Sequence, residues 1–337
     1  MNWAVIMAGG NGTRFWPLSN ANNPKQFLRL IGDKTPAQGC IERLSLVVPP
    51  ERILMVSAEV HRDAIRRELP DFPEDQILWE PIGRNTAPCI AWVTEVIRAR
   101  DKDARIGVFP SDHAIADPEA FADSLRQAYE CATGHIVLFG IAPTRPETGY
   151  GYIEQGESIG DSLYRVASFR EKPDIDTANR YIAEQRYLWN SGMFIYDANV
   201  MHDEIAAHVP QIASKIAEIV ENPGCIHDVF PTLMSISIDY AVMEHTTRAV
   251  VLRASFPWDD LGTWDAIRRY FAEDANHNAQ RGEAVFVDSQ GCFAYSADAR
   301  RIALLGVEGL IVVSTPDAVL VMPSDRAQDV RLIHQKL

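Results

Sequence analysis

Two rhythms of apolar residues alternate along the first half of the chain. Residues 3–7, 53–56, 77–79, 106–109 and 136–139 are short runs, apolar almost throughout, that read as buried strands. Between them, residues 59–68, 86–100 and 118–132 space their apolar side chains for helices; in 86–100 these are Ala91, Val93, Val96 and Ile97. The alternation predicts an α/β fold, a mostly parallel mixed sheet with helices on both faces. Ligands of such sheets bind beyond the carboxyl ends of strands. Three stretches fall there: a glycine cluster after residue 7, residues 80–85 and residues 111–113.

Between residues 149 and 253 the elements shorten, with strands expected over 150–154, 164–170 and 193–196 and helices over 175–184 and 198–207. This stretch reads as an extension of the same domain that supplies a second substrate pocket. Beyond Asn278 the pattern changes to short β runs at 284–287, 302–305, 310–313 and 319–322. Thr315-Pro316-Asp317 makes a turn between the last two, and a helix-like stretch, 327–335, follows. No repeat of fixed period emerges. The expected division is one domain over 1–278 and a small one over 279–337.

Composition narrows the function. The chain has 337 residues, 47% apolar and 23% charged, enough for a large core and without a biased tract. Its net charge of −14 argues against nucleic acid or an anionic membrane as partner, since both favour a basic face. Cys40, Cys89, Cys131, Cys225 and Cys292 are scattered, with no Cys-x2-Cys pair. Neither a zinc site nor a disulfide framework is expected, and a reducing compartment fits. The first apolar run is too short for a signal sequence and lacks a positive flank, and no run approaches a membrane span, so the cytoplasm is the expected location.

Against this acidic background the first 32 residues hold Arg14, Lys25 and Arg29 and no acid. The first strand runs into Ala8-Gly9-Gly10-Asn11-Gly12-Thr13-Arg14, where the glycines let backbone N–H groups approach an anion and Arg14 and Lys25 add positive charge. A phosphate-rich ligand is implied. A P-loop is excluded, because no Lys-Ser or Lys-Thr follows the glycines. A dinucleotide fingerprint fails too: Phe15 stands where its third glycine belongs, and Trp16-Pro17 discourages a helix through the loop. The remaining pattern, Gly-Gly-x-Gly-x-Arg with Phe15-Trp16-Pro17-Leu18-Ser19 and Pro24-Lys25-Gln26-Phe27, resembles the sugar-1-phosphate nucleotidyltransferase family, nearest its mannose-1-phosphate guanylyltransferase branch. The resemblance implies a Rossmann-like, GT-A-like catalytic domain and a small C-terminal left-handed β-helix, to which Gly309-Leu-Ile-Val-Val and Asp317-Ala-Val-Leu-Val are similar. It also implies magnesium as cofactor. A homodimer is the expected assembly, although no residue pattern specifies the oligomeric state.

Further motifs fit the same family. In Glu80-Pro-Ile-Gly-Arg-Asn-Thr-Ala-Pro88, Asn85 suits a helix cap and Pro88 a first turn, which leaves Glu80, Gly83 and Arg84 without a structural reason. A carboxylate accepts both N1–H and N2–H of guanine, whereas adenine presents an acceptor there. The segment resembles the family's purine-binding one, so Glu80, Arg84, Asn85 and Thr86, with Ala8, Gly9, Gly10, Gly12, Thr13 and Ser111, are expected at the nucleotide. Asp112, alone a turn former, resembles the family's Asp-His metal motif, and Asp260 ahead of Leu-Gly-Thr resembles its Asp-x-Gly-Thr motif. Two such carboxylates suit magnesium that also binds phosphate oxygens and water. Asp259 sits one residue off that motif.

The loop from Pro143 to Tyr152 looks like the sugar segment, with Glu147, Thr148 and Gly149 near the hydroxyls. Glu171 and Lys172 suit a sugar ring and its phosphate, though Pro173 also suits a helix entry. Asn190 offers an amide to sugar hydroxyls, or else a strand-edge turn. Residues 237–244 read as a capped helix without a ligand role, and His113 is expected to have no catalytic one.

The reaction implied is GTP plus mannose 1-phosphate giving GDP-mannose and pyrophosphate. Arg14 would stabilise the leaving pyrophosphate, Lys25 the α-phosphate and Lys172 the nucleophile, with magnesium on Asp112 and Asp260. The nucleophile is a phosphate monoester with a second pKa of about 6, so no general base is required. The alternatives are the same chemistry with another base or hexose, and a regulatory subunit that binds a nucleotide sugar without turnover.

Overall fold

The computed structural model describes residues 1–337 except 11, 21, 335 and 337. The N-terminal part carries strands β1 (Asn2–Met7), β2 (Ile53–Ala58), β3 (Ile77–Glu80), β4 (Arg105–Pro110), β5 (Ala114–Ile115), β6 (Ile136–Ile141), β7 (Tyr152–Gly160), β8 (Leu163–Arg170), β9 (Tyr187–Asp197), β10 (Ala249–Arg253) and β11 (Trp258–Asp259). Nine of them form one sheet, in the order β3-β2-β1-β4-β9-β6-β10-β8-β7. The run from β3 to β4 is parallel, as is the β6–β10 pair. β9 is antiparallel to β4 and β6, β8 to β10, and β7 to β8 and β9.

Both faces of this sheet are buried, so successive side chains of one strand enter different cores. On one face Val5, Leu54 and Val108 pack with α3 (Thr86–Arg100), α6 (Ala198–His208) and α7 (Pro210–Glu221). On the other, Ala4, Ile6, Ile53 and Met55 pack with α1 (Pro36–Ser45), α2 (Arg62–Glu68) and α4 (Pro118–Cys131), with Ala178 of α5 (Ile175–Glu184) joining them. Residues 59–68 divide into a 3-10 turn, Glu59–His61, and α2. α1, α7, α8 (Ile226–Val229), α9 (Trp264–Arg268), β5, β10 and β11 lie outside the predicted elements. For α1 a signal existed: Thr35 and Gln38 form a reciprocal capping box ahead of Pro36.

The C-terminal part is built from β12 (Ala279–Arg281), β13 (Ala284–Val287), β14 (Phe293–Ser296), β15 (Ile302–Leu305), β16 (Leu310–Ser314) and β17 (Val319–Pro323). β12, β14 and β16 stack in parallel, β13 pairs in parallel with β15, and β17 closes the stack antiparallel to β16 after the Thr315 turn. Alternate strands stacked on the strands of the next coil give a β-helix-like module. Ala284 pairs with Ile302 and Phe293 with Ile311, both offsets of 18 positions. Ala279 pairs with Phe293 at an offset of 14, so the coils differ in length and no fixed period runs through the module, in keeping with the sequence reading. The predicted closing helix is a 3-10 helix, Ser324–Val330, followed by α10 (Arg331–His334); Gln335, the last residue of that expectation, lies outside the described residues.

This module does not stand apart. Phe15, Leu28 and Leu30 from the N-terminal loops, and Leu261 and Trp264 beside the Asp260 motif, share one core with Phe293, Tyr295, Ile311, Val313, Ala327 and Val330.

Candidate active site

β1 ends at Met7, and hydrogen bonds from neighbouring segments fix the course of the glycine loop. Ala8 N–H donates to Val56 O at 2.8 Å, and Gln26 Nε2 donates to the carbonyls of Ala8 (2.8 Å) and Gly10 (3.0 Å). The loop is thus tied from within to the Pro24–Phe27 stretch of the same signature. Gly12 has φ 59°, and a Cβ on it would lie 2.6 Å from Lys25 Cβ, so only glycine fits both the conformation and the contact. Around Gly10 a Cβ would meet nothing within 4 Å, which leaves the outer side of the loop open to a ligand.

Lys25 is buried, and its ammonium joins three motifs distant in sequence. Nζ donates to Asp112 Oδ2 and to the Asp260 backbone carbonyl, both at 2.7 Å. Burial, the largest single influence, would raise the Asp112 pKa, but the Lys25 charge, the neighbouring His113 and the hydrogen bond from Lys25 together hold the carboxyl below its usual value. Asp260 Oδ1 accepts from Tyr150 OH at 2.6 Å and from Gly262 N at 2.9 Å. A Cβ on residue 262 would come within 2.5 Å of Asp260 Oδ2, a physical reason for the glycine in Asp-x-Gly-Thr. Thr263 then caps α9 (Trp264–Arg268). Asp259 is engaged elsewhere, accepting from Leu261 N and pairing with Arg269. The short β5–β11 ladder sets Ala114 opposite Asp259, and Trp258 Nε1 donates to His113 Nδ1 at 3.1 Å. Burial pushes His113 down to about 4. With Nδ1 accepting, the ring is neutral.

A cavity of about 690 Å³ opens beside this junction. Of the residues expected at the site, it brings together Thr13, Arg14, Glu147, Thr148, Gly149, Lys172 and Asp260. Arg145 and Tyr150 line it as well, though the sequence reading gave neither a role. Glu147 is partly committed: Oε1 accepts from Gly149 N at 3.0 Å, and Arg145 lies 3.4 Å from Oε2.

Lys172, at φ 46°, pairs with buried Glu171 at 2.8 Å. A Cβ on Gly151 would lie 2.5 Å from Glu171 Oε2, and one on Gly149 3.2 Å from Glu147 Oε1. Asn190 donates through Nδ2 to Asp239 Oδ1 (3.0 Å) and accepts from Gly192 N (3.1 Å). Burial and the Glu171 charge push Asp239 up to about 6. Residues 237–244 therefore reach the sugar-segment residues through Asp239, although they read as a purely structural helix. The only local hint is a π-helical turn, Asp239–Met243, visible in coordinates and not in sequence.

The purine segment divides. Glu80 is buried next to the glycine loop, 3.3 Å from where a Gly9 Cβ would sit; its Oε1 has no partner among the described residues. Burial pushes its carboxyl up to about 7. The other side chains of this segment expected at the nucleotide are engaged elsewhere. Arg84 Nη2 donates to Pro231 O, Asn85 Oδ1 accepts from Thr86 N, and Thr86 Oγ1 accepts from Ile238 N. A helix N-terminus has unpaired donors to satisfy, and these residues tie it to the 231–238 stretch. Ser111 is buried, with its N–H on Met7 O.

Both parts of the chain match known families. Residues 3–277 match the family described as nucleotidyl transferase, and residues 282–337 the family described as MannoseP isomerase/GMP-like beta-helix domain. The mannose-1-phosphate guanylyltransferase of Escherichia coli is 40% identical over 343 residues, covering 97% of this chain and 72% of the relative. The alginate biosynthesis protein AlgA of Pseudomonas aeruginosa is 38% identical, covering 99% and 71%. A crystal structure from Thermus thermophilus, described as mannose-1-phosphate geranyltransferase, superposes with a TM-score of 0.91 at 38% identity, covering 99% of this chain and 98% of that one.

Proposed function

The chain belongs to the nucleotidyl transferase family, and on that premise we propose that it transfers GMP from GTP to mannose 1-phosphate, releasing pyrophosphate. The observation that carries this reading is the Lys25 junction, which packs against Gly12 and joins Asp112 to Asp260, itself on the wall of a cavity that Arg14 and Lys172 also line.

The chemical problem is repulsion between two phosphorylated reactants on a molecule of net charge −14. In such transfers positioning and charge stabilisation do most of the work. Gly9, Gly10 and Gly12 present backbone N–H groups to the phosphates; Arg14 offsets the charge of the leaving pyrophosphate, and Lys25 that of the α-phosphate. Lys172 orients the sugar phosphate, while Glu171 and Asn190 accept and donate toward the hexose hydroxyls. Glu80 reads the guanine edge; Arg84, Asn85 and Thr86 keep the segment around it in place. The nucleophile is already mostly dianionic at neutral pH, its second pKa being about 6, so attack in line with the pyrophosphate needs no base.

Asp112 and Asp260 suit a divalent metal. One ammonium, Lys25 Nζ, reaches both Asp112 Oδ2 and the Asp260 backbone carbonyl at 2.7 Å, and among the described residues no group of three or more Asp, Glu, His or Cys forms a ligand cluster. Such a donor set fits magnesium, which takes its other ligands from phosphate and water. When bound, it would neutralise charge on the phosphate oxygens.

The reading extends to residues 1–278 as catalytic domain and 279–337 as a small C-terminal one. It includes a cytoplasmic homodimer, supported by five free cysteines and by exposed Val285, Val287 and Leu305 on one face of β13 and β15. Sedimentation would test the assembly. The reaction itself is tested by a matrix of four nucleoside triphosphates against several sugar 1-phosphates, read by pyrophosphate release. GTP with mannose 1-phosphate should give the highest kcat/KM; a better pair would replace these substrates, and no release from any pair would end the enzymatic reading.

A further inference from the structure

The C-terminal module turns one face into the active-site cavity, and the reaction scheme gives that face no role. Asp325, Gln328 and Arg331 line the cavity at a spacing of three, on the 3-10 helix Ser324–Val330 and the start of α10. Residues three apart eclipse one another in a 3-10 helix, so these side chains form a single row. Ser324, Ala327 and Val330 form the adjacent row: Ser324 and Ala327 also border the cavity, while Ala327 and Val330 are buried in the core shared with Phe15, Leu261 and Trp264. The helix runs for seven residues, whereas such helices usually stop at about three or four. Its length keeps the row aligned from one end to the other. At its centre, Gln328 Oε1 accepts a hydrogen bond from Arg14 Nη1 at 3.1 Å.

We propose that the C-terminal module completes the pyrophosphate end of the active site, and that Gln328 is a positioning residue for Arg14. The inference rests on the proposed function for the identity of the phosphates and on geometry for the rest. Arg14 lies on an exposed 3-10 turn, Thr13–Phe15, with its neighbour Phe15 fixed edge-on to Trp264 at 5.3 Å. Its backbone is anchored, but its side chain is long and free to change rotamer. One bond to Gln328 selects a direction and leaves about four of the five guanidinium N–H donors for phosphate oxygens. The acceptor is neutral, so the arginine is held without the opposing charge that a carboxylate would place beside it. Ordering the side chain before the ligand arrives lowers the entropy cost of binding.

The test is a double-mutant cycle with Arg14→Ala, Gln328→Met and the two combined, Met being chosen because it keeps the length of Gln and removes the acceptor. Two quantities are measured on all four proteins: kcat/KM for GTP with mannose 1-phosphate, and calorimetric affinity for pyrophosphate with magnesium. Gln328→Met should lower both by about three- to tenfold in the otherwise native protein and should change neither in the Arg14→Ala background. An equal loss in both backgrounds, or no loss in either, overturns the proposal, as does a native protein that fails to bind pyrophosphate. Gln328→Ala, with near-ultraviolet circular dichroism on each variant, separates a local effect from misfolding. If native protein binds pyrophosphate but does not turn over the substrates, the functional reading fails, and the binding cycle still decides the role of Gln328.

Discussion

At the scale of single residues, Glu80 is the most exposed to test. Its carboxyl is buried, with Oε1 unpartnered among the described residues, and is pushed up to about 7, so near neutral pH it exchanges a proton. Only the ionised form accepts both guanine donors. The KM for GTP should therefore fall as pH rises through about 7, and Glu80→Gln should remove that dependence and narrow the preference for GTP over ATP. The effect on stability has the opposite sign. The folded protein keeps a proton that the unfolded chain releases above its ordinary carboxylate value of 4.5. The ligand-free protein should accordingly lose stability between pH 4.5 and about 7, and the variant should not, as denaturant titrations at several pH values would show. For the carboxylates beside Lys25, replacing Asp112 and Asp260 together with Asn should lower kcat by at least about a hundredfold at saturating magnesium, the scale on which electrostatic groups act in transition states. Unchanged turnover would remove the charge argument altogether.

At the scale of elements, glycines and caps decide how motifs are presented. Gly12→Ala forces a side chain into a left-handed conformation and into Lys25. We expect a loss of about 1–3 kcal/mol in unfolding free energy, together with a larger proportional loss of activity, because the strain falls on the loop and the lysine at once. Thr35→Ala serves as a contrast. It removes the capping box of α1, away from the cavity, and should cost about 1 kcal/mol with KM values unchanged. The same contrast shows which elements were legible. α3 and α5 lie where the sequence placed them, because each has a side-chain cap, α3 a long apolar stretch and α5 an apolar period. α1 was equally well marked, by Thr35 and Gln38, but a capping box precedes rather than belongs to an apolar pattern. β10 pairs with β6 and β8, and nothing in its five residues marks those partners.

At the scale of the molecule, the shared core makes the two parts depend on one another. Phe15 and Trp264 pack against Tyr295, Ile311 and Val330, so removing residues 279–337 would expose the underside of the glycine loop and of the Asp260 motif. Calorimetry of the full chain should show one cooperative transition rather than two, and a chain truncated after Asn278 should bind 8-anilinonaphthalene sulfonate and lack turnover. Two separate transitions would mean that the module is only tethered, which would also weaken the case for Gln328.

What the sequence by itself determined was the inventory of chemistry and the local frame that carries it. Apolar runs marked strand ends, and glycines, prolines and caps made each loop after a strand recognisable, because those preferences act over a few neighbouring residues. The tertiary structure decided which of these groups meet. Lys25 finds Asp112 and Asp260, Asn190 finds Asp239, and Arg14 finds Gln328. Such pairings are set by sheet order and by coils stacking on a loop near the other end of the chain. They leave no periodic trace in the chain, since a hydrogen bond between distant residues constrains two positions and none of those between them.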